Sequence, residues 1–156
     1  MQVAAVPLNE QDRLKALLKL QILDTEPDST FDAVTSLAAS IFQVPIVLVS
    51  LIDEQRQWFK SKQGLDVCQT DRKLAFCAHA ILQSDIFIVE DALQDERFSG
   101  NPLVCTIPNI RFYAGCPLIN EQGLALGTLC IIDRVPRKMT EQDKTILRKL
   151  AVMVMD

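Results

Sequence analysis

Five cysteines, one histidine and a small set of polar residues between apolar runs are the groups in this 156-residue chain that could do chemistry. The cysteines stand at 68, 77, 105, 116 and 130, an odd number with no Cys-x-x-Cys pair. That usage fits the reduced thiols of a cytoplasmic protein better than a disulfide framework or a zinc site. His79, in Phe76-Cys77-Ala78-His79-Ala80-Ile81, is the one side chain that ordinarily titrates near neutral pH. It either bonds a ligand or holds the protein's own backbone. Cys77 and His79 are two apart, so on a helix they point about 200° from each other and form no local thiolate–imidazole dyad. Asp53, Asp91 and Asp133 sit at strand ends without metal-ligand spacing and read as turn or cap residues.

Arg111 opens an apolar strand. If its guanidinium points inward it needs a carboxylate or an anionic ligand, because an unpaired buried charge costs several kcal/mol. Asp91, Asp95 and Glu96 lie in a segment that could supply the carboxylate. Arg97 and Asn101 belong to the same segment, where such side chains either meet a ligand or hold the loop's own backbone.

The elements that position these groups follow from period. Asn9 with Asp12 resembles a capping box ahead of a stripe of Leu14, Leu17, Leu18 and Ile22. Ser29 with Asp32 offers a second cap, before Phe31, Val34, Leu37, Ala38 and Ile41. Ile46–Ile52 is apolar at both parities, as a central strand covered on both faces must be. Asp53–Arg56 turns into a second strand, 57–63, where Trp58 beside Lys60 and Lys62 covers an edge. A helix is expected over 73–83 and a short strand over 86–89. Residues 91–109 read as irregular. Strands over 111–119 and 124–133 flank the hairpin signal Asn120-Glu121-Gln122-Gly123. A last helix starts at Thr140, with Asp143 as its box partner and Ile146, Leu147, Leu150, Met153 and Val154 as its stripe. The order gives an α+β fold: a mostly antiparallel sheet with helices segregated to one face.

The second hairpin assigns faces. A turn centred on Glu121-Gln122 sets 116 across from 127 and 113 across from 130. Phe112, Ala114, Cys116, Leu118, Ala125, Gly127, Leu129 and Ile131 then share an apolar, helix-packed face. Arg111, Tyr113, Gly115, Pro117, Leu126, Thr128, Cys130 and Ile132 share the other, whose mixed character suits a ligand pocket. Ser50 marks the same pocket parity on the first strand, with Ile46, Leu48 and Ile52. In that register Cys116 and Cys130 do not meet and remain buried thiols.

Composition bounds the function. Hydrophobic residues make 49% and charged residues 23%, ordinary for one globular domain, and the net charge of −4 disfavours nucleic acid and anionic membrane as partners. No apolar run approaches a membrane span, and the first nine residues lack the pattern of a signal peptide. Residues 151–155 are apolar around nearly a full helical circumference, which calls for burial against the domain's own core, a second copy or a continuing chain.

Read in order, Asp24-Thr25-Glu26-Pro27, Pro45-Ile46, Val49-Ser50-Leu51-Ile52-Asp53, Gln57-Trp58-Phe59-Lys60-Ser61, Phe76-Cys77-Ala78-His79-Ala80-Ile81, Asp91-Ala92, Arg97-Phe98, Asn101-Pro102-Leu103-Val104, Arg111-Phe112-Tyr113-Ala114-Gly115 and Gly127-Thr128-Leu129-Cys130 resemble the GAF domain. More narrowly, the chain resembles the bacterial subtype found N-terminal in sensor histidine kinases and GGDEF diguanylate cyclases, with a core over about residues 9–155 of a single domain. The resemblance implies a GAF/PAS-like fold whose terminal helices lie on one face and pair two copies. It places a small-molecule pocket under loops and a short helix on the other, with His79, Asp91, Arg97, Asn101, Arg111 and Tyr113 around it. Ser50, Phe76, Cys77, Thr128 and Cys130 complete the candidate ligand-binding set.

The implied role is a non-catalytic, small-molecule-sensing and dimerisation module of a cytoplasmic signalling protein, in a two-component system or in cyclic di-GMP signalling. Two rivals stand beside it: a thiol-based reductase using Cys77 or Cys130, akin to free methionine sulfoxide reductases, and a degenerate domain that only dimerises. Ala78 separates Cys77 from His79, unlike the adjacent pair of bilin-binding relatives, so no covalent tetrapyrrole or other cofactor is expected. The Gly-Val-Cys-Gly pattern of the reductases and the Asn-Lys-x-n-Phe-x-x-x-Asp-Glu signature of cyclic-nucleotide binders are missing, as are GGDEF, kinase and helix-turn-helix sequences.

Overall fold

The computed structural model describes residues 1–155. In chain order the elements are α1 (Glu10–Lys19), α2 (Ser29–Phe42), β1 (Ile46–Ile52), β2 (Arg56–Gln63), β3 (Gln69–Asp71), α3 (Phe76–Ala80), β4 (Phe87–Val89), α4 (Pro102–Cys105), β5 (Phe112–Ile119), β6 (Ala125–Asp133) and α5 (Glu141–Met155). Single 3-10 turns at Arg72–Leu74 and Ala92–Gln94 precede α3 and follow β4. The strands form one sheet in the order β3-β2-β1-β6-β5-β4, and every neighbouring pair is antiparallel. β1 is buried at all seven positions, as its unbroken apolar run requires of a strand covered on both sides.

One face carries Val47, Val49, Phe112, Ala114, Cys116, Leu118, Leu129 and Ile131 against α2 and α5. At its end Leu51, Trp58 and Leu126 pack with Leu17 of α1. The opposite face presents Ile46, Leu48, Ile52, Phe59, Tyr113, Cys130 and Ile132, with Phe87 and Val89 of β4 at its edge, to α3 and the segment that carries α4. β1 and β6 approach closely at Gly127, where a Cβ would collide with the Ser50 carbonyl and lie 2.8 Å from the Leu51 Cα. Only glycine fits that position.

The hairpin register is two residues away from the expected one. Tyr113 opposes Ile132 and Cys116 opposes Leu129, so the turn is displaced by one position along the chain. A shift of two keeps parity, and the face assignment holds for residues 112–118 and 127–132. It fails at Ala125 and Leu126. A bulge between Leu118 and Ile119 pairs Ile119 with Ala125, leaving Leu126 as the extra residue. Ala125 therefore joins the face expected to hold the pocket, and Leu126 turns under α1.

Other boundaries shift for local reasons. The helix expected over 73–83 is split: Asp71 caps a 3-10 turn over Arg72–Leu74 by accepting from Lys73 N, Ala75 is extended (φ −76°, ψ 125°), and α3 starts only at Phe76. All five residues of α3 are buried, so it lacks the one-sided stripe that reveals a helix. Asp28, not Ser29, caps α2 by accepting from Thr30 N at 2.8 Å. Asn9 precedes α1 without a side-chain cap, and Arg13 replaces Leu14 and Leu18 on its buried side. Thr140 and Asp143 do form the reciprocal box ahead of α5. Trp58 lies on an inner strand beneath α1, because β3 extends the sheet beyond β2. Lys60 occupies a bulge and is buried, with its ammonium donating to Thr25 Oγ1 and the Glu26 carbonyl.

Candidate functional site

Between the open face of the sheet and the segments above it lies a cavity of about 410 Å³. Its floor is Ile46 and Leu48 of β1, Phe59 of β2, Tyr113 of β5 and Ile132 of β6. Phe76 and Cys77 of α3 wall one side, the β2–β3 loop over residues 64–67 another, and Leu103, Ile107, Pro108 and Ile110 a third. The walls are mostly apolar, with a few directed polar groups, as in a small-molecule site. Gln57 and Thr70 supply an amide and a hydroxyl, and the exposed side chains of Asp66 and Arg134 stand at the mouth.

Polar side chains line up beside this floor. Ser50 Oγ donates to Gln57 Oε1 at 2.7 Å, and Gln57 Nε2 donates to Thr70 Oγ1 at 2.9 Å. The β1–β6 register sets Ser50 opposite Thr128 and Leu48 opposite Cys130. Thr128 Oγ1 and the Tyr113 hydroxyl each donate to Cys77 Sγ at 3.0 Å, and the Cys77 and Cys130 sulfurs are 4.0 Å apart. Burial alone would raise the Cys77 thiol, but Cys130, Thr128, Tyr113 and Ser50 favour its thiolate and bring it down to about 7. Burial and the neighbouring Cys77 charge push Tyr113 well above its ordinary range. Burial, with Cys77 beside it, does the same to Cys130. The Tyr113 ring reaches α3 because Gly115, two residues on and on the same face, leaves it room: a Cβ there would collide with the hydroxyl.

The candidate residues divide into three groups. Phe76, Cys77 and Tyr113 line the cavity, while Ser50, Thr128 and Cys130 lie directly behind that lining. His79, Asp91, Arg97, Asn101 and Arg111 do not line it, which corrects their expected placement around the pocket. His79 Nε2 pairs with the Gln2 carbonyl at 3.1 Å, and its ring meets Phe98 edge-on at 4.8 Å. Burial holds its pKa below the ordinary value. Arg97 pairs with Asp95 and lies over the rings of Phe87 and Phe98. Asn101 caps α4 through Leu103 N and ties it to the Leu74 carbonyl. Asp91 caps the Ala92–Gln94 turn.

Among the described residues Arg111 meets no carboxylate, and it does not line the cavity; its Nη1 donates to the carbonyls of Val104 (2.8 Å) and Ile110 (3.0 Å). These five hold the segment that roofs the sheet. Of the cavity's other lining residues, Gln57 and Phe59 share a strand parity that the alternation of β2 makes visible. The loops over 64–67 and 107–110 carry no such period.

A family model described as GAF domain matches residues 26–155. The chain belongs to the GAF domain family. Over 99% of its length it is 45% identical to a cyclic di-GMP phosphodiesterase of Pseudomonas aeruginosa, and it spans 27% of that relative's length. The GAF domain of an Acinetobacter phosphoenolpyruvate-protein phosphotransferase superposes with a TM-score of 0.64 at 19% identity, over 93% of this chain and 89% of that one. A type II free methionine-R-sulfoxide reductase from Thermoplasma acidophilum gives 0.65 at 16% identity, over 88% and 92%. These two likenesses are of fold. No helix among the described residues is long and apolar enough to cross a membrane.

Proposed function

We propose that this GAF domain is the non-catalytic sensory and dimerisation module of a bacterial cyclic di-GMP signalling protein, and that it binds a small, mostly apolar molecule in the cavity above β1 and β6. The observation that carries the reading is the cavity itself: about 410 Å³ in a domain whose opposite sheet face is packed by three helices, with its polar side chains limited to Gln57 and Thr70, the Cys77–Tyr113 pair and the mouth. The apolar walls select a hydrophobic body, and the Gln57–Thr70 end orients one hydrogen-bonding group. Binding orders the roof between β4 and β5 and shifts the balance between two arrangements of the terminal helices. A tenfold change in output needs about 1.4 kcal/mol of differential affinity.

Native mass spectrometry of freshly purified chain, followed by thermal shift with amphipathic carboxylates and alcohols, tests this. A co-purified molecule is expected, or a compound that at about one hundred times its Kd stabilises the fold by about 2.7 kcal/mol. Ile110→Trp fills the cavity from its roof and should abolish that stabilisation. Full stabilisation in the Ile110→Trp variant, or no compound raising the melting temperature of the unmodified chain, overturns the reading.

A further inference from the structure

Two sulfurs in contact at the back of a cavity are not needed for the ligand reading. Cys77 and Cys130 are 2% and 0% exposed, yet Cys77 lines the cavity while Cys130 stands behind it, 4.0 Å away. Cys77 Sγ accepts two hydroxyl hydrogen bonds at 3.0 Å, from β5 and β6, an arrangement that stabilises a thiolate. Tyr113 and Cys130 are titratable groups that face it, and the lowered Cys77 thiol agrees with this geometry. The remaining thiols are arranged differently. Cys68 and Cys105 are exposed, and Cys116, on the other sheet face, is pushed up to about 11 by burial.

We propose that Cys77 and Cys130 are an oxidisable dithiol whose substrate is a hydroperoxide small enough to enter the cavity, and whose product is a Cys77–Cys130 disulfide. The Cys77 thiolate attacks the outer peroxide oxygen, the O–O bond breaks, and the leaving oxygen takes a proton to become water or an alcohol. Cys77 is then a sulfenic acid. The Cys130 sulfur attacks the Cys77 sulfur, the S–O bond breaks, and the hydroxide leaves as water with the Cys130 proton. Two thiols lose two electrons and one peroxide gains them. The sulfurs must close by about 2 Å to bonding distance, and the bond would pin α3 to β6. This goes beyond the ligand reading, because it needs the cavity only as an access route.

The test uses the full chain, reduced and desalted, with a few equivalents of hydrogen peroxide at pH 7. The expected product is lighter by two hydrogens, with Cys77 and Cys130 peptides joined in a non-reducing digest before Cys68 or Cys105 is modified. In Cys130→Ser the reaction should stop at a Cys77 sulfenic acid captured by dimedone. Tyr113→Phe keeps the ring and removes one donor. With one of its two hydroxyl donors gone, the Cys77 thiolate is less stabilised, and the first step should slow about twofold at pH 7. Oxidation of Cys68 and Cys105 while Cys77 and Cys130 stay free thiols overturns the proposal. So does a Tyr113→Phe rate equal to that of the unmodified chain. Neither result touches ligand binding, which the thermal shift reads separately.

Discussion

Glu10 is the residue through which α1 is tied electrostatically to the rest of the domain, and replacing it by Gln exposes the cost. Arg13, on the next turn of α1, is 1% exposed and donates to both Glu10 oxygens, at 2.9 and 2.8 Å. Arg72, at the start of the 3-10 turn before α3, bonds the same carboxylate from across the fold. Burial opposes the Glu10 charge, but the two guanidinium groups overcome it and hold the carboxyl at about 2, down from 4.5. That difference corresponds to about 3.4 kcal/mol as an upper bound. Solvent screening at the outer edge of the carboxylate reduces it to about 2.

Glu10→Gln removes that stabilisation by breaking the pair, and Arg13 keeps its buried charge with one guanidinium nitrogen that already has no partner among the described residues. Breaking a buried pair in this way costs about 3–5 kcal/mol. The expected loss is about 2–4 kcal/mol. Trp58, the chain's one tryptophan, packs with Leu17 of α1, so urea unfolding followed by its fluorescence reads the effect directly. The pH dependence has a fixed sign. Glu10 binds its proton less readily folded than unfolded, so its stabilisation is complete above pH 4.5 and disappears as pH falls towards 2. The variant should lack that part of the acid loss. A change below about 0.5 kcal/mol, together with an unaltered acid profile, would refute the reasoning.

Two further outcomes follow from the same geometry. Arg111→Ala removes two charge-assisted hydrogen bonds to the carbonyls of the α4–β5 segment and should cost about 1–3 kcal/mol in urea unfolding. An unchanged midpoint would contradict that anchoring role. Val152 and Met155 are 61% and 38% exposed on α5, and Leu37 and Ile41 are exposed on α2, the helix that packs against α5. The double variant Val152→Glu, Met155→Glu should weaken self-association in sedimentation while leaving the melting temperature of the monomer within a few degrees. An unmodified chain that sediments as a monomer at high concentration refutes the proposed dimer surface.

Sequence patterning alone specified the antiparallel hairpin, the buried central strand, the α5 capping box and the two chemically distinct sheet faces. Each depends on neighbours within a few residues or on a fixed period of two or 3.6. The same patterning identified Ser50, Tyr113, Thr128 and Cys130 as companions, because strand parity carries a face assignment along the chain even when register is off by two. It could not specify the bulge that turns Leu126 under α1, or the break at Ala75, where burial on all sides of α3 removes any stripe. It also could not pair Cys77 with Cys130, 53 residues apart, or reveal that His79, Arg97, Asn101 and Arg111 are occupied by backbone carbonyls, aromatic rings and Asp95. Such partners come from other elements, and only the packing of α3 and the roof onto the sheet decides which polar atoms are left to face the cavity.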